Sequence, residues 1–506
     1  MKQDQIAAFY PVRNPVLAPR RTLGRLPMIT NMANFVRDTT PSLRRTEWVV
    51  GAVVFTNLAI TTWSFAGKAS WAPISFTVLS VVLAIVSVLF SHREGVRINW
   101  RAFMPFVAFA LLMAVSLLNP SYQRVPGRPD AWMEREAYLT WLPSTVAPVV
   151  TFTAMLPWLS ALLLGAALRQ AGLGRRAVRL LWGALLGHGI LVALVGIYFF
   201  FTDRGHILGF VKAQQGYHFA SFLYRNHWSA FMLLHIAVAV GFAHSALRSW
   251  QTGRGRLDTS FIGWGSALLL TITIPMPGSR SGLVIALMML IVGLGVFSWK
   301  LWRTHHSQAP TNLVRMGRMV LGVLFVGGIV VAGIMINRDT FRPHWLRTQN
   351  QLKELVMGRE DLRYSLSRDS YRMAADRPVW GWGVGSYGLV FPLYQGDYLK
   401  SASGAITTRV MHAHNDWAEM AAEIGMVGLL VLIIPVFVLL VHGSGPTGSL
   451  KRWGQVGAGV LLAYALIDFP FHCPAVLLMF TVLICTASAL DAENHTIKET
   501  RSLVND

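Results

Sequence analysis

The chain has 506 residues, 53% of them hydrophobic and only 14% charged, with a mean hydropathy of +0.46. Soluble domains carry about a quarter charged residues, so this balance excludes an ordinary soluble protein and, with repeated apolar runs near membrane-spanning length, predicts a polytopic membrane protein. The formal charge of +21 would suggest nucleic acid on a soluble chain; here it reads as topology signals, together with an anionic substrate.

Residues 1–46 are polar, carry eight Lys/Arg and lack an apolar core of signal-peptide length, so they predict a basic cytoplasmic segment rather than a cleavable leader. Apolar runs follow at 47–67, 73–91, 102–118, 148–168, 180–201, 227–247, 261–275, 282–299 and 319–336, and again at 418–441, 454–467 and 475–490. They predict about twelve transmembrane helices, of which the seventh and eleventh are short. With the N-terminus inside, 26 of the 45 Lys/Arg fall in inner segments, 8 in short outer loops and 11 in the long segment 338–416. This bias follows the positive-inside rule and predicts both termini in the cytoplasm.

The expected organisation is therefore a basic segment (1–46), spans one to nine (47–337), a large outer loop (338–416), spans ten to twelve (417–490) and a polar cytoplasmic tail (491–506). The first half of the large loop has helical character up to Pro378, and its second half is rich in glycine and aromatics. Cys473 and Cys485 lie twelve residues apart near one span. That is about 18 Å along a helix, too far for a disulfide.

Polar clusters recur at the span ends assigned to the outer side: YRNHW (224–228), PGSRSG (277–282), HAHNDWAEM (412–420) and DFPFHCP (468–474). Spans six, eight and ten begin on that side, so their helix N-termini bring unpaired N–H groups and partial positive charge to it. Arg225 and Arg280 stand at two such ends. An arginine fork beside a helix N-terminus suits phosphate oxygens, and two forks suit a pyrophosphate; taken singly, each could be a snorkelling interface residue. Asp416, Glu419 and Glu423 share one helix face. Their depth marks them as functional candidates, although a pairing that locks the long loop to the bundle would explain them too.

His412 and His414 form an H-x-H pair. A zinc site would need a further ligand such as Asp416 or His472. Neutral His414 as acceptor of a hydroxyl proton needs none. GVGSYG (383–388) has dinucleotide-site spacing but not the strand before it and the helix after it that such a site requires, so it reads as flexible loop backbone.

Taken together, these residues resemble the O-antigen ligase family of bacterial membrane glycosyltransferases, a superfamily that includes O-antigen polymerases and protein O-oligosaccharyltransferases. HNDWAEMAAEIGMVG (414–428) is similar to the family's His-Asn…Glu-x-Gly-x-x-Gly signature, and RNHWSAFM (225–232), SRSGLVIAL (279–287), DRPVWGWGVGSYG (376–388) and IDFPFHCPA (467–475) match its other stretches in order. The resemblance covers roughly 220–475; before that, only the span pattern matches.

It implies an all-α polytopic fold of about twelve transmembrane helices with one large, partly helical periplasmic loop, in the bacterial inner membrane. The implied activity is metal-independent, inverting transfer of a glycan from an undecaprenyl-pyrophosphate donor to lipid A–core or another hydroxyl acceptor in lipopolysaccharide biosynthesis. No cofactor and no nucleic acid are involved. Carried onto this chain, the resemblance makes His414 the general base and Arg225 and Arg280 the pyrophosphate ligands, with Arg363, Arg372 and Arg409 as weaker ones. Asn226, His227, Ser279, His412, Asn415, Asp416, Glu423 and Asp468 support them. A polymerase, a protein glycosylase and, in a different class, a transporter or flippase are the competing readings.

Overall fold

The computed structural model describes residues 43–125, 128–213, 217–253, 256–305, 362–399, 409–441 and 448–490. The ninth predicted span, most of the basic leader, the start of the large loop and the tail lie outside these residues.

Every other predicted span is a helix: α1 (Arg45–Trp63), α2 (Ala72–Arg93), α3 (Trp100–Leu118), α4 (Pro148–Ala171), α5 (Arg175–Thr202), α6 (Arg225–Gln251), α7 (Thr259–Thr273), α8 (Arg280–His305), α11 (Asp416–Val441), α12 (Ser449–Tyr464) and α13 (Pro474–Ala487). Two more helices, α9 (Leu362–Asp376) and the single turn α10 (Tyr387–Val390), lie in the large loop. Among the described residues, seven helices are long and apolar enough to cross a membrane: α2, α3, α4, α5, α6, α8 and α11, of which the α6 segment is almost entirely buried.

Local sequence explains the ends. Pro148 opens α4, where its missing N–H is of no consequence, and Gly172 closes it with a left-handed φ of 54°. Pro474 opens α13 in the same way.

The fold departs from the all-α expectation in two places. Tyr122–Val125 pairs antiparallel with Arg128–Glu134, and His206–Ile207 pairs with Val211–Lys212. The stretch around the first hairpin, which reads as an ordinary connecting loop, is in fact the seat of the large loop. Arg377 donates to the Ser121, Ser144 and Tyr138 hydroxyls, and the Trp382 carbonyl accepts from Val146 N–H. Alternation is weak there and the strands are short, which leaves little periodic signal to read.

The large loop is also stitched into α11. Gly425 interrupts that helix with φ 62° and ψ −174°. The break frees backbone groups on both sides, and the segment 378–383 takes them up. Trp382 and Gly383 donate to the Ala422 and Glu423 carbonyls, while Met426 and Val427 donate to Pro378 and Val379. The approach is so close that a Cβ on Gly425 would sit 2.4 Å from the Val379 carbonyl oxygen, and one on Gly381 would sit 2.5 Å from that of Glu423. The glycines of the WGWGVG stretch therefore serve backbone pairing at a helix kink, not a nucleotide.

Candidate active site

The starts of α6, α8 and α11 meet the α12–α13 connection at one end of the bundle. Gly282 makes this possible for α8: a Cβ there would lie 2.4 Å from the Ser229 Cβ, so the first turns of α6 and α8 touch. Ser279 then donates to the Asn226 side-chain oxygen at 2.8 Å. Asn226 donates onward to the Asp468 carboxylate and, at 2.9 Å, to the Tyr224 hydroxyl. Arg225 and Arg280, half-buried, begin these two helices. Arg225 lies over the Tyr217 ring, 4.6 Å from its centroid.

Asp468 is the hub. It is 1% exposed and accepts from Asn226 and from Phe469 N–H at 2.9 Å. The Tyr224 hydroxyl lies 3.5 Å from its oxygens, Arg363 Nη2 is 3.7 Å away, and His414 Nδ1 is 3.8 Å away. Burial, and then the Asp468 charge, push the Tyr224 phenol well above its ordinary range, so it remains protonated.

His414 has a left-handed φ of 54°. Backbone strain of this kind in a residue other than glycine costs about 1–3 kcal/mol and tends to mark functional sites. Its Nδ1 is buried without a hydrogen bond, while the side chain as a whole stays 30% exposed. Its ring packs edge-on against Phe469, and Tyr224 stacks on that same Phe469 ring at 5.0 Å and 15°.

Beside it lies a second cluster. His472 binds Asp416 through Nδ1 at 2.7 Å and Glu419 through Nε2 at 3.2 Å. Glu419 also accepts from His412 at 2.9 Å and from Ala413 N–H at 2.7 Å. Burial pulls the His472 pKa down, but the Glu419 and Asp416 carboxylates outweigh it and raise it to about 9. Burial dominates at His412 and lowers its pKa. The cluster thus holds one imidazolium between two carboxylates, with a neutral imidazole alongside. His412, Glu419 and His472 offer ligand atoms within 4.8 Å of one another. Within this trio, His412 Nδ1 and His472 Nε2 both face Glu419 Oε1.

The structure sorts the sequence candidates. Arg225, Asn226, Ser279, Arg280, His414 and Asp468 belong to one connected end of the bundle, and Arg363 joins them through the Ile467 carbonyl at 3.0 Å. Arg372 instead pairs with Asp369, and Arg409 donates to the Gly388 carbonyl, so neither reaches Asp468. His227 is spent on the Phe469 carbonyl at 3.2 Å. Asn415 caps α11 by accepting from Trp417 and Ala418 N–H. Glu423, which the sequence left between function and loop locking, accepts from Tyr387 N–H at 2.9 Å and so anchors α10. Tyr224 and Phe469 complete the site without having been singled out as its members, and His472, named from the sequence only as a possible metal ligand, completes the second cluster.

An apolar cavity of about 880 Å³ adjoins the site at Trp417 and Phe471, and is bordered by α3, α4, α11 and α13.

A helical membrane bundle that gathers two arginine-bearing helix starts, a strained histidine and a buried aspartate at one end is a membrane enzyme candidate for phosphate-linked substrates. Residues 265–433, about a third of the chain, match the family model described as O-antigen ligase, the family that the motifs resemble, and the match suggests a membrane glycosyltransferase activity. No curated protein matches the chain.

Proposed function

We propose that the protein transfers a glycan from a polyprenyl-pyrophosphate donor to an acceptor hydroxyl at the end of the bundle where α6, α8 and α11 begin, and that the acceptor is lipid A–core. In this reading that end faces the periplasm, twelve spans cross the inner membrane, and both termini are cytoplasmic. The observation that carries it is the chain of contacts Ser279–Asn226–Asp468–His414, which joins the helix starts where Arg225 and Arg280 stand to the histidine.

Arg225 and Arg280, with the N-terminal N–H groups of their helices, hold the diphosphate. Asp468 faces His414 Nδ1. A carboxylate facing one ring nitrogen favours the imidazolium that forms when the other accepts a proton. The acceptor hydroxyl loses its proton to His414 as its oxygen attacks the anomeric carbon. The bond from that carbon to phosphate breaks on the opposite face, and its electron pair leaves with the diphosphate. The sugar inverts, and neither nucleotide nor metal is required. Fixed positive groups aimed at the departing oxygen supply electrostatic catalysis, and a positioned base contributes about 10²–10⁴ in rate. The apolar cavity beside Trp417 suits a lipid chain.

Deletion of the gene with lipopolysaccharide analysis tests the reading. Core without long chains, accompanied by accumulated lipid-linked polymer, is the expected result. Core bearing a single repeat unit would make the protein a polymerase, and normal lipopolysaccharide with an unglycosylated protein would make it a protein glycosylase. Transfer that survives a chelator is expected as well.

A further inference from the structure

The two histidines of the H-x-H pair part company in the fold. His414 turns toward Asp468, so the pair does not act as a chelate. His412 meets His472 instead, with ring centroids 4.8 Å apart, and Glu419 stands between their nitrogens. His412 Nδ1 is 2.9 Å, and His472 Nε2 3.2 Å, from the same oxygen, Glu419 Oε1. Bonds to zinc of about 2.0–2.2 Å put neighbouring ligands of a tetrahedral site ~3.3 Å apart. Two edges of the trio are already at that spacing, and the third donor pair lies within 4.8 Å.

Each donor is also aimed from behind. Asp416 Oδ1 accepts from His472 Nδ1 at 2.7 Å, which leaves Nε2 as the nitrogen directed into the trio. The other Asp416 oxygen is held by Phe471 N–H at 2.8 Å. A carboxylate placed behind a histidine in this way is the common support of a metal-bound imidazole. Ala413 N–H holds Glu419 Oε2 at 2.7 Å and leaves Oε1 to the trio. The His412 ring stacks on Phe469 at 4.4 Å and 17°, which sets its plane. Asp416 and Glu419 are fully buried, and their two negative charges balance a divalent ion. The His412 side chain is 30% exposed, which leaves a path in from solvent.

We propose that His412, Glu419 and His472 bind one divalent transition-metal ion of the zinc class, with water as the fourth ligand. On binding, the His472 Nε2 proton leaves to solvent and the lone pair takes the metal, while Asp416 keeps its hydrogen bond to Nδ1. Two imidazoles and a carboxylate suit zinc; magnesium and calcium take oxygen ligands in larger number. The ligands come from the end of the large loop, the first turn of α11 and the α12–α13 connection. The ion therefore ties three segments together two residues from His414. Its role is structural. The inference goes beyond the glycosyl-transfer reading and does not rest on it.

The test uses the full chain in nanodiscs, without a polyhistidine tag and stripped with a chelator. Titration with zinc sulfate is expected to load a single ion per chain and to raise the thermal midpoint as zinc rises. His412→Ala removes the exposed ligand and leaves the His472 ion pairs in place. It should bind zinc about tenfold or more weakly, the scale on which loss of a supporting partner already weakens a metal site, and should lose the zinc-dependent rise. His206→Ala removes the exposed histidine paired with Asp203 and should change neither. A second measurement needs no variant: cobalt(II) in place of zinc should give the intense visible bands of a four-coordinate ion, not the weak ones of a solvated ion. Zinc that binds His412→Ala as tightly as wild type, a midpoint indifferent to zinc, or the spectrum of solvated cobalt overturns the inference. Glycan transfer by the stripped wild-type protein is the separate measure of the glycosyl-transfer reading, and neither result decides the other.

Discussion

His414 and His472 both pack against Phe469, with ring centroids 5.0 and 6.3 Å from it, but they are employed differently. His472 is 15% exposed and has a carboxylate on each ring nitrogen. His414 is 30% exposed, has one long contact to Asp468, and stands on a left-handed backbone. An imidazole clamped at both nitrogens is charged and fixed, and it can neither take up nor release a proton without breaking an ion pair. One held loosely at a single nitrogen is available for chemistry. On the proposed reading, the contrast separates a scaffold histidine from the base within the same few residues of space.

Removing each in turn is the most direct way to break this comparison. His414→Ala should lower transfer by about 10²–10⁴ while the membrane level and thermal unfolding of the protein stay near wild type; full activity would remove the base assignment. His472→Ala should do the reverse first. It leaves Asp416 and Glu419 buried without their cation, a change worth about 3–5 kcal/mol of stability, and a thermal midpoint equal to wild type would contradict the clamp.

Arg280→Lys should lose activity by about tenfold or more, nearly as Arg280→Ala does, because a point charge does not replace a fork. A silent lysine variant would mean that charge alone is needed there. Gly425→Ala places a Cβ against the Val379 carbonyl at a positive φ, so a loss of about 1–3 kcal/mol is expected, read as earlier unfolding together with easier proteolysis of the large loop.

The smallest effect sharpens the comparison through pH. The His472 pKa rises from 6.5 to about 9 on folding. Its contribution to stability is therefore complete below pH 6.5 and is lost as pH rises through about 9. The unfolding midpoint of wild type should fall across that window, and that of His472→Gln should fall less; parallel curves would show that another group titrates there.

The helices were legible because burial in a bilayer demands long apolar runs, and each run in the described residues became a helix. The arginines and His414 were legible as candidates because they recur at helix starts on one side and fall in the motifs of the family, although each arginine alone could be a snorkelling interface residue. The fates of Arg372, Arg409 and Glu423 were not. Each side chain found a local partner (Asp369, the Gly388 carbonyl and Tyr387 N–H) that residue spacing does not encode.

What the sequence by itself determined is the order of apolar and polar segments, and hence a helical membrane protein with its reactive residue types gathered at helix ends, because hydrophobic length and charge placement are local properties. Only the tertiary structure decided which histidine is clamped and which is open, and which glycines admit a second strand of backbone beside a broken helix. Those outcomes depend on contacts between residues up to several hundred positions apart, such as Ala66 with Cys473 and Asn226 with Asp468, and no local pattern carries that information.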